Sequence, residues 1–149
     1  RSAWFDAEGV ATRDSALVED GVLSRYVLGS YSARRLGLES TGNAGGVRNV
    51  EVAANAGGQD ALLRTMGTGL LVTDLMGQGV NPVTGDSSRG ASGFWVEGGA
   101  IAWPVEGITI AGNLRSMFQA IEAVGSDIDP RSHLRTGSIL LDGMTVAGG

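Results

Sequence analysis

Glycine interrupts this chain at 25 of its 149 positions. The glycines follow no every-third-residue period, which excludes a collagen-type helix, and they form no low-complexity block. They punctuate short apolar segments instead. A backbone interrupted this often offers few windows long enough for a stable helix and many points where φ can turn positive. Short strands joined by tight turns are the expected result. Apolar residues make up 42% of the chain, enough for a packed core and too many for a disordered tail.

The apolar segments place the elements. Two runs flank Glu19-Asp20-Gly21, and Asp-Gly is a strong hairpin signal because the two-residue turn demands positive φ. Phe94-Trp95-Val96 and Ala100-Ile101-Ala102-Trp103 flank Glu97-Gly98-Gly99 in the same manner. The pattern Val-Glu-x-Gly-x-[Leu/Ile] recurs at 18–23 and 96–101, each time ahead of a helical segment. It reads either as a duplicated hairpin-plus-helix unit or as ordinary turn chemistry used twice. Ser32 and Gly37 are cap candidates for a short helix over 32–37. A second helix is expected over 59–66 with Leu62, Leu63 and Met66 inward. A third is expected over 113–124, capped by Asn113, with Leu114, Met117, Phe118, Ile121 and Val124 on one face and Gly125 at its end. Residues 69–76 read as a buried strand, 138–141 and 144–147 as the last strands, and the opening Arg1–Phe5 segment as strand-like. Trp4, Trp95 and Trp103 are expected in the core. The fold class is therefore α+β and β-rich, with antiparallel hairpins in a curved or barrel-like sheet and two or three short helices. Strands and helices do not alternate regularly, which argues against a doubly wound parallel sheet. A length of 149 residues suits one domain, 1–149.

Composition excludes several chemistries. There is no cysteine, hence no disulfide, iron–sulfur cluster or thiolate zinc site, which fits a cytoplasmic protein. The net charge is −5, and all the basic residues are scattered arginines, whereas phosphate binding needs a clustered positive surface. Direct nucleic-acid binding is not expected. No apolar run approaches the ~20 residues of a membrane span, so a soluble chain is expected. It opens on Arg1 rather than Met, with no basic stretch followed by an apolar one, and reads as part of a longer protein lacking a secretory signal here.

His133 is the only histidine. A zinc site of imidazoles and carboxylates takes two or three such ligands at helical or hairpin spacing. In Asp129-Pro130-Arg131-Ser132-His133 it reads as a solvated loop residue, with a subunit contact or a general base as alternatives. No metal ligand and no catalytic residue is assigned. Gly-x-Ser-x-Gly is absent, and Gly77-Gln78-Gly79 lacks the third glycine of a dinucleotide fingerprint, with Pro82 blocking the receiving helix. The densest polar cluster is 84–93, ahead of Phe94-Trp95. Asp86 and Arg89 either pair across a tight loop or leave Arg89 free to offer its fork to a peptide. Asp86, Ser88, Arg89 and Trp95 are the candidate substrate- or partner-contacting residues.

Eight ordered segments carry a family resemblance. They are Tyr31-Ser32-Ala33-Arg34-Arg35-Leu36-Gly37, Ser40-Thr41-Gly42-Asn43-Ala44-Gly45-Gly46, Met66-Gly67-Thr68-Gly69-Leu70 and Leu75-Met76-Gly77-Gln78-Gly79 in the first half. Gly85-Asp86-Ser87-Ser88-Arg89-Gly90, Gly93-Phe94-Trp95-Val96-Glu97, the run from Pro104 through Gly112-Asn113-Leu114, and Gly137-Ser138-Ile139-Leu140-Leu141 complete the series. Over 15–147 the chain resembles the C-terminal portion of the TldE/PmbA family, also named "modulator of DNA gyrase". The resemblance implies a partner subunit of the TldD/TldE metallopeptidase, a cytoplasmic complex that processes peptides including microcin-type precursors and an antitoxin. It also implies that zinc belongs to the TldD subunit, which supplies His-Glu-x-x-x-His upstream and a late Cys within Cys-Gly-Lys. Thr136 stands where that cysteine falls, and no metal role transfers to any residue here. TldD-type chains and peptides are thus the implied partners, with self-association also open. The alternative from another class is a non-enzymatic β-rich dimerisation or binding module.

Overall fold

The computed structural model describes residues 2–148. In chain order the elements are β1 (Val18–Glu19), β2 (Val22–Leu23), α1 (Ser30–Leu36), β3 (Val50–Glu51), α2 (Gln59–Met66), β4 (Gly69–Met76), β5 (Asp86–Glu97), β6 (Ala100–Asn113), α3 (Leu114–Gln119), β7 (Ile121–Val124), β8 (Leu134–Arg135), β9 (Ile139–Leu141) and β10 (Thr145–Ala147). The chain divides into two compact units. One comprises residues up to 50 with 132–134, and the other comprises 51–131 with the segment from 135 onward. No helix among the described residues is long and apolar enough to cross a membrane.

In the first unit, β1 and β2 pair antiparallel through Asp20 (φ 50) and Gly21 (φ 77), the two positive-φ positions that the turn requires. Helix α1 starts two residues earlier than expected. Gly29 is its N-cap, without a side-chain cap bond, so Ser32 lies inside the first turn, while Gly37 ends the helix at φ 67 as expected. The polar anchor of this unit is Asp6, 5% exposed. Its carboxylate accepts the backbone N–H groups of Glu8, Val10 and Ala44, each at 2.9 Å. Burial opposes ionisation, but the backbone donors outweigh it and hold the carboxyl below its ordinary range. Arg1 lies outside the described residues, and the rest of the opening segment forms only an isolated bridge, Phe5 to Ala11. Trp4 is 89% exposed rather than packed in a core.

The second unit is built on a four-stranded antiparallel sheet in the order β10-β6-β5-β4. Its centre is the long β5–β6 hairpin, turned by Gly98 (φ 57) and Gly99 (φ 78). Glu97 pairs with Ala100 and Val96 with Ile101, as Glu19 pairs with Val22 and Val18 with Leu23. The recurring six-residue pattern is therefore the signature of the same two-residue turn. The strands around it differ, two residues each in one hairpin and 12 and 14 in the other. Between the pairs Ala91–Ile108 and Gly93–Val105, β6 carries an extra residue, and Gly107 (φ 70) lies within that bulge. Pro104, which has no N–H to donate, lies on the stretch of β6 that β10 does not reach. The core draws on Ala91 and Val96 of β5, Ile108 of β6, Leu62 and Leu63 of α2, Val124 of β7 and Leu140 of β9.

Two elements depart from the sequence reading. Strand β4 is half-buried over 69–72 and exposed over 73–76, because it is the edge of the sheet rather than an interior strand. Helix α3 stops at Gln119, and Ile121–Val124 leave it to pair with β9. Asn113 does cap α3, its Oδ1 accepting from Arg115 N–H at 3.1 Å. Ile121 and Val124 are β-branched and find ladder partners in Leu141 and Ile139. That pairing outweighs the helical spacing. Phe118, left on a six-residue helix, is 70% exposed.

Candidate functional site

The polar cluster 84–93 is not a loop. Strand β5 begins at Asp86, so side chains alternate between two faces. Asp86 and Ser88 share one face, while Arg89, three positions after Asp86, lies on the other. The Asp86–Arg89 ion pair is consequently not formed. Arg89 Nη2 donates to the carbonyls of Gly77 at 2.7 Å and Leu75 at 3.4 Å, fastening the end of β4 to β5. Asp86 pairs in register with Asn113, whose Nδ2 donates to Asp86 Oδ1 at 3.1 Å and to the Thr84 carbonyl at 3.0 Å. Hydrogen bonds from Asn113 and then Thr84 hold the Asp86 carboxyl below its ordinary range.

A segment of the 77–85 loop lies against the start of β5. Ser88 N–H donates to Gly79 C=O and Asn81 N–H to Asp86 C=O, both at 2.8 Å, and Val80 bridges Ser87. At Gly79 an added Cβ would collide with the Ser88 carbonyl, so only glycine permits this approach. Asn81 fixes the return. Its Oδ1 accepts from Val83 N–H at 2.9 Å and Thr84 N–H at 3.2 Å, and its C=O accepts from Gly85 N–H at 2.8 Å. Gln78, Gly79, Val80, Asn81, Asp86, Ser87 and Ser88 together line an open depression of about 340 Å³. Asp86 is the only charged residue in that lining.

The structure thus brings Asp86 and Ser88 together and puts Arg89 behind them. Trp95 lies elsewhere, about 23 Å further along the strand by its seven-residue separation from Ser88. There it faces Trp103 across the hairpin, with ring centroids 6.3 Å apart and planes inclined by 25°, and its Nε1 donates to Glu97 Oε1 at 3.3 Å. Trp103 itself is 49% exposed. Asn113 and Asn81 were not among the sequence candidates for this site. Asn-Pro at 81–82 is a turn signal that marks Asn81, whereas Asn113 is assigned only by the β5–β6 register.

His133 is exposed, and its C=O accepts from Val50 N–H at 3.0 Å. Among the described residues, no three of His, Cys, Asp or Glu come together as a metal site. Thr136 Oγ1 donates to the Gly137 carbonyl at 3.0 Å.

Comparison with known proteins agrees with this architecture. The family profile of the PmbA/TldA metallopeptidase C-terminal domain matches residues 1–148. A metalloprotease PmbA homolog from Haemophilus influenzae is 60% identical over 145 residues, covering 97% of this chain and 32% of that protein. Metalloprotease PmbA from Escherichia coli O157:H7 is 54% identical over 144 residues, with 97% and 32% covered. The chain therefore spans about a third of the length of these relatives. Among solved structures, a candidate modulator of a DNA gyrase from Thermotoga maritima superposes with a TM-score of 0.90 at 37% identity, covering 98% of this chain and 36% of that one. TldE from Thermococcus kodakarensis gives 0.82 at 26% identity, with 98% and 36% covered. A match along this whole span, at such identity and with the same fold, makes this chain a member of the PmbA/TldD metallopeptidase family.

Proposed function

We propose that this chain is the C-terminal portion of a PmbA/TldE-type subunit that joins a TldD-type chain in a cytoplasmic peptidase, shaping a peptide- or partner-contacting surface while its partner holds the catalytic zinc. Family membership supports the peptidase context, and the relatives include TldD homologues as well as PmbA proteins. Within these 149 residues the donor chemistry fits a portion that holds no catalytic zinc by itself: one histidine and no cysteine, where a catalytic zinc takes three protein ligands. Threonine at 136 is a poor substitute for a thiolate. An acidic chain with scattered arginines gives no clustered positive surface for DNA.

The observation that carries the contact role is the pairing of Asp86 with Ser88 on one face of β5, opposite a backbone rim fixed by Asn81 and Gly79. Recognition groups work best when their support is rigid. In this reading Asp86 and Ser88 contact the peptide or partner and Arg89 holds the rim from behind, while Trp95, an odd number of residues from Ser88, belongs to the opposite face of the strand.

Peptide turnover by the full-length protein, alone and with a TldD-type partner, tests the proposal. We expect turnover only in the pair and no stoichiometric zinc in residues 1–149 expressed alone. Arg89→Lys keeps the charge but removes the planar fork, so it should lower turnover in the pair. Zinc-dependent turnover by this subunit alone would overturn the partner role, and unchanged turnover in Arg89→Lys would overturn the role of the rim.

A further inference from the structure

We infer that the depression beside Asp86 receives a cationic group of the bound peptide, an ammonium or guanidinium, with Asp86 as its counter-charge and Ser88 as a neighbouring acceptor. The inference rests on the contact role proposed above and names the chemistry that the contact selects. Asp86 is the only charge in a lining that otherwise consists of Gln78, Gly79, Val80, Asn81, Ser87 and Ser88. Among the described residues it has no ion-pair partner, since the one salt bridge there is Arg131–Asp129. The nearest arginine in sequence, Arg89, is turned to the opposite face and engaged with the carbonyls of Leu75 and Gly77.

A carboxylate offers about four lone-pair positions. Asn113 and Thr84 engage Asp86 and favour its charged form, which leaves acceptor capacity for a donor arriving in the depression. Among the described residues, the side chains of Gln78 and Ser88 make no hydrogen bond within the chain, and each carries an oxygen that can accept. The site is thus a set of acceptors around one uncompensated negative charge, on a backbone already fixed by four hydrogen bonds from Val83, Thr84, Ser88 and Asn81. Its volume of about 340 Å³ admits one side chain or chain terminus. A net charge of −5 favours the approach of basic peptides over acidic ones.

The test measures binding of short peptides to the full-length protein with its TldD-type partner by fluorescence anisotropy. The probes differ at one position, lysine against isosteric norleucine, each with a blocked and with a free α-amino group. We expect a cation-bearing peptide to bind about tenfold more tightly than its fully blocked norleucine counterpart, as a charge-assisted hydrogen bond supplies. Added salt should shrink that ratio in the wild-type protein, a readout that needs no variant. Asp86→Asn should bring the cationic peptide down to the level of the neutral one. A preference that follows the lysine assigns the site to a side chain, one that follows the free α-amino group assigns it to the chain terminus, and either supports the inference. Equal weakening of cationic and neutral peptides by Asp86→Asn would overturn the cation preference while keeping the contact. Indifference of all peptides to Asp86→Asn and Ser88→Ala would overturn the contact role itself.

Discussion

Asp6 is the one charged side chain buried among the described residues, and its role in the first unit is legible from its partners. Three backbone N–H groups, from positions 8, 10 and 44, converge on its carboxylate. Its pKa is lowered in the folded protein, so its contribution to stability is full above the unfolded value of about 4. That contribution is lost as pH falls through the lower folded value. Asparagine would keep one acceptor oxygen and turn an N–H₂ group toward donors. Asp6→Asn should therefore lower the denaturation midpoint at pH 7, and the gap from wild type should close as the wild-type carboxyl protonates in acid. Denaturant melts of both proteins across that range check this, and a gap that widens in acid would refute it. The Asp86–Arg89 pair shows the limit of reading residues by proximity. Three positions apart they are neighbours on a helix or across a turn, but on a strand they face opposite ways.

Among the elements, those that local chemistry specifies are found where the sequence puts them. The two glycine-turned hairpins, helix α2 and the span of β4 match, because a positive-φ turn or a short amphipathic stretch contains its own instructions. Residues 113–124 do not, because their helical spacing competes with strand pairing offered by a segment far along the chain. The consequence is measurable. Leu62→Ala, in the buried face of α2, should cost about 2–5 kcal/mol. Phe118→Ala, on the exposed face of α3, should cost less than about 0.5 kcal/mol. Chemical denaturation of the two variants separates these outcomes, and a large loss for Phe118→Ala would mean that its ring is covered in the full-length protein.

For the whole molecule, the exposed apolar residues are the telling feature. Trp4, Phe5, Tyr31, Val83, Phe118 and Trp103 all present large apolar area to solvent. The edge of β4 carries exposed Leu75 and Met76, with no strand paired beyond it among the described residues. Residues 1–149 expressed alone should therefore bind a hydrophobic dye and self-associate with rising concentration. Sedimentation velocity checks this, and a single monomeric species at every concentration would contradict it.

The sequence alone determined the class of fold, the turn positions, the caps at Gly37 and Asn113, and the family, since each depends on residues adjacent in the chain or on an ordered series of motifs. It also identified Asp86 and Ser88 as worth watching, from the density of polar residues around them. Only the tertiary structure decided that this cluster is a strand, that Asn113 orients Asp86 from 27 residues away, and that Arg89 grips β4. The physical reason is register. Whether a side chain on a strand meets a ligand, a core or its own backbone is set by the partner strand and by each bulge, and neither is encoded locally.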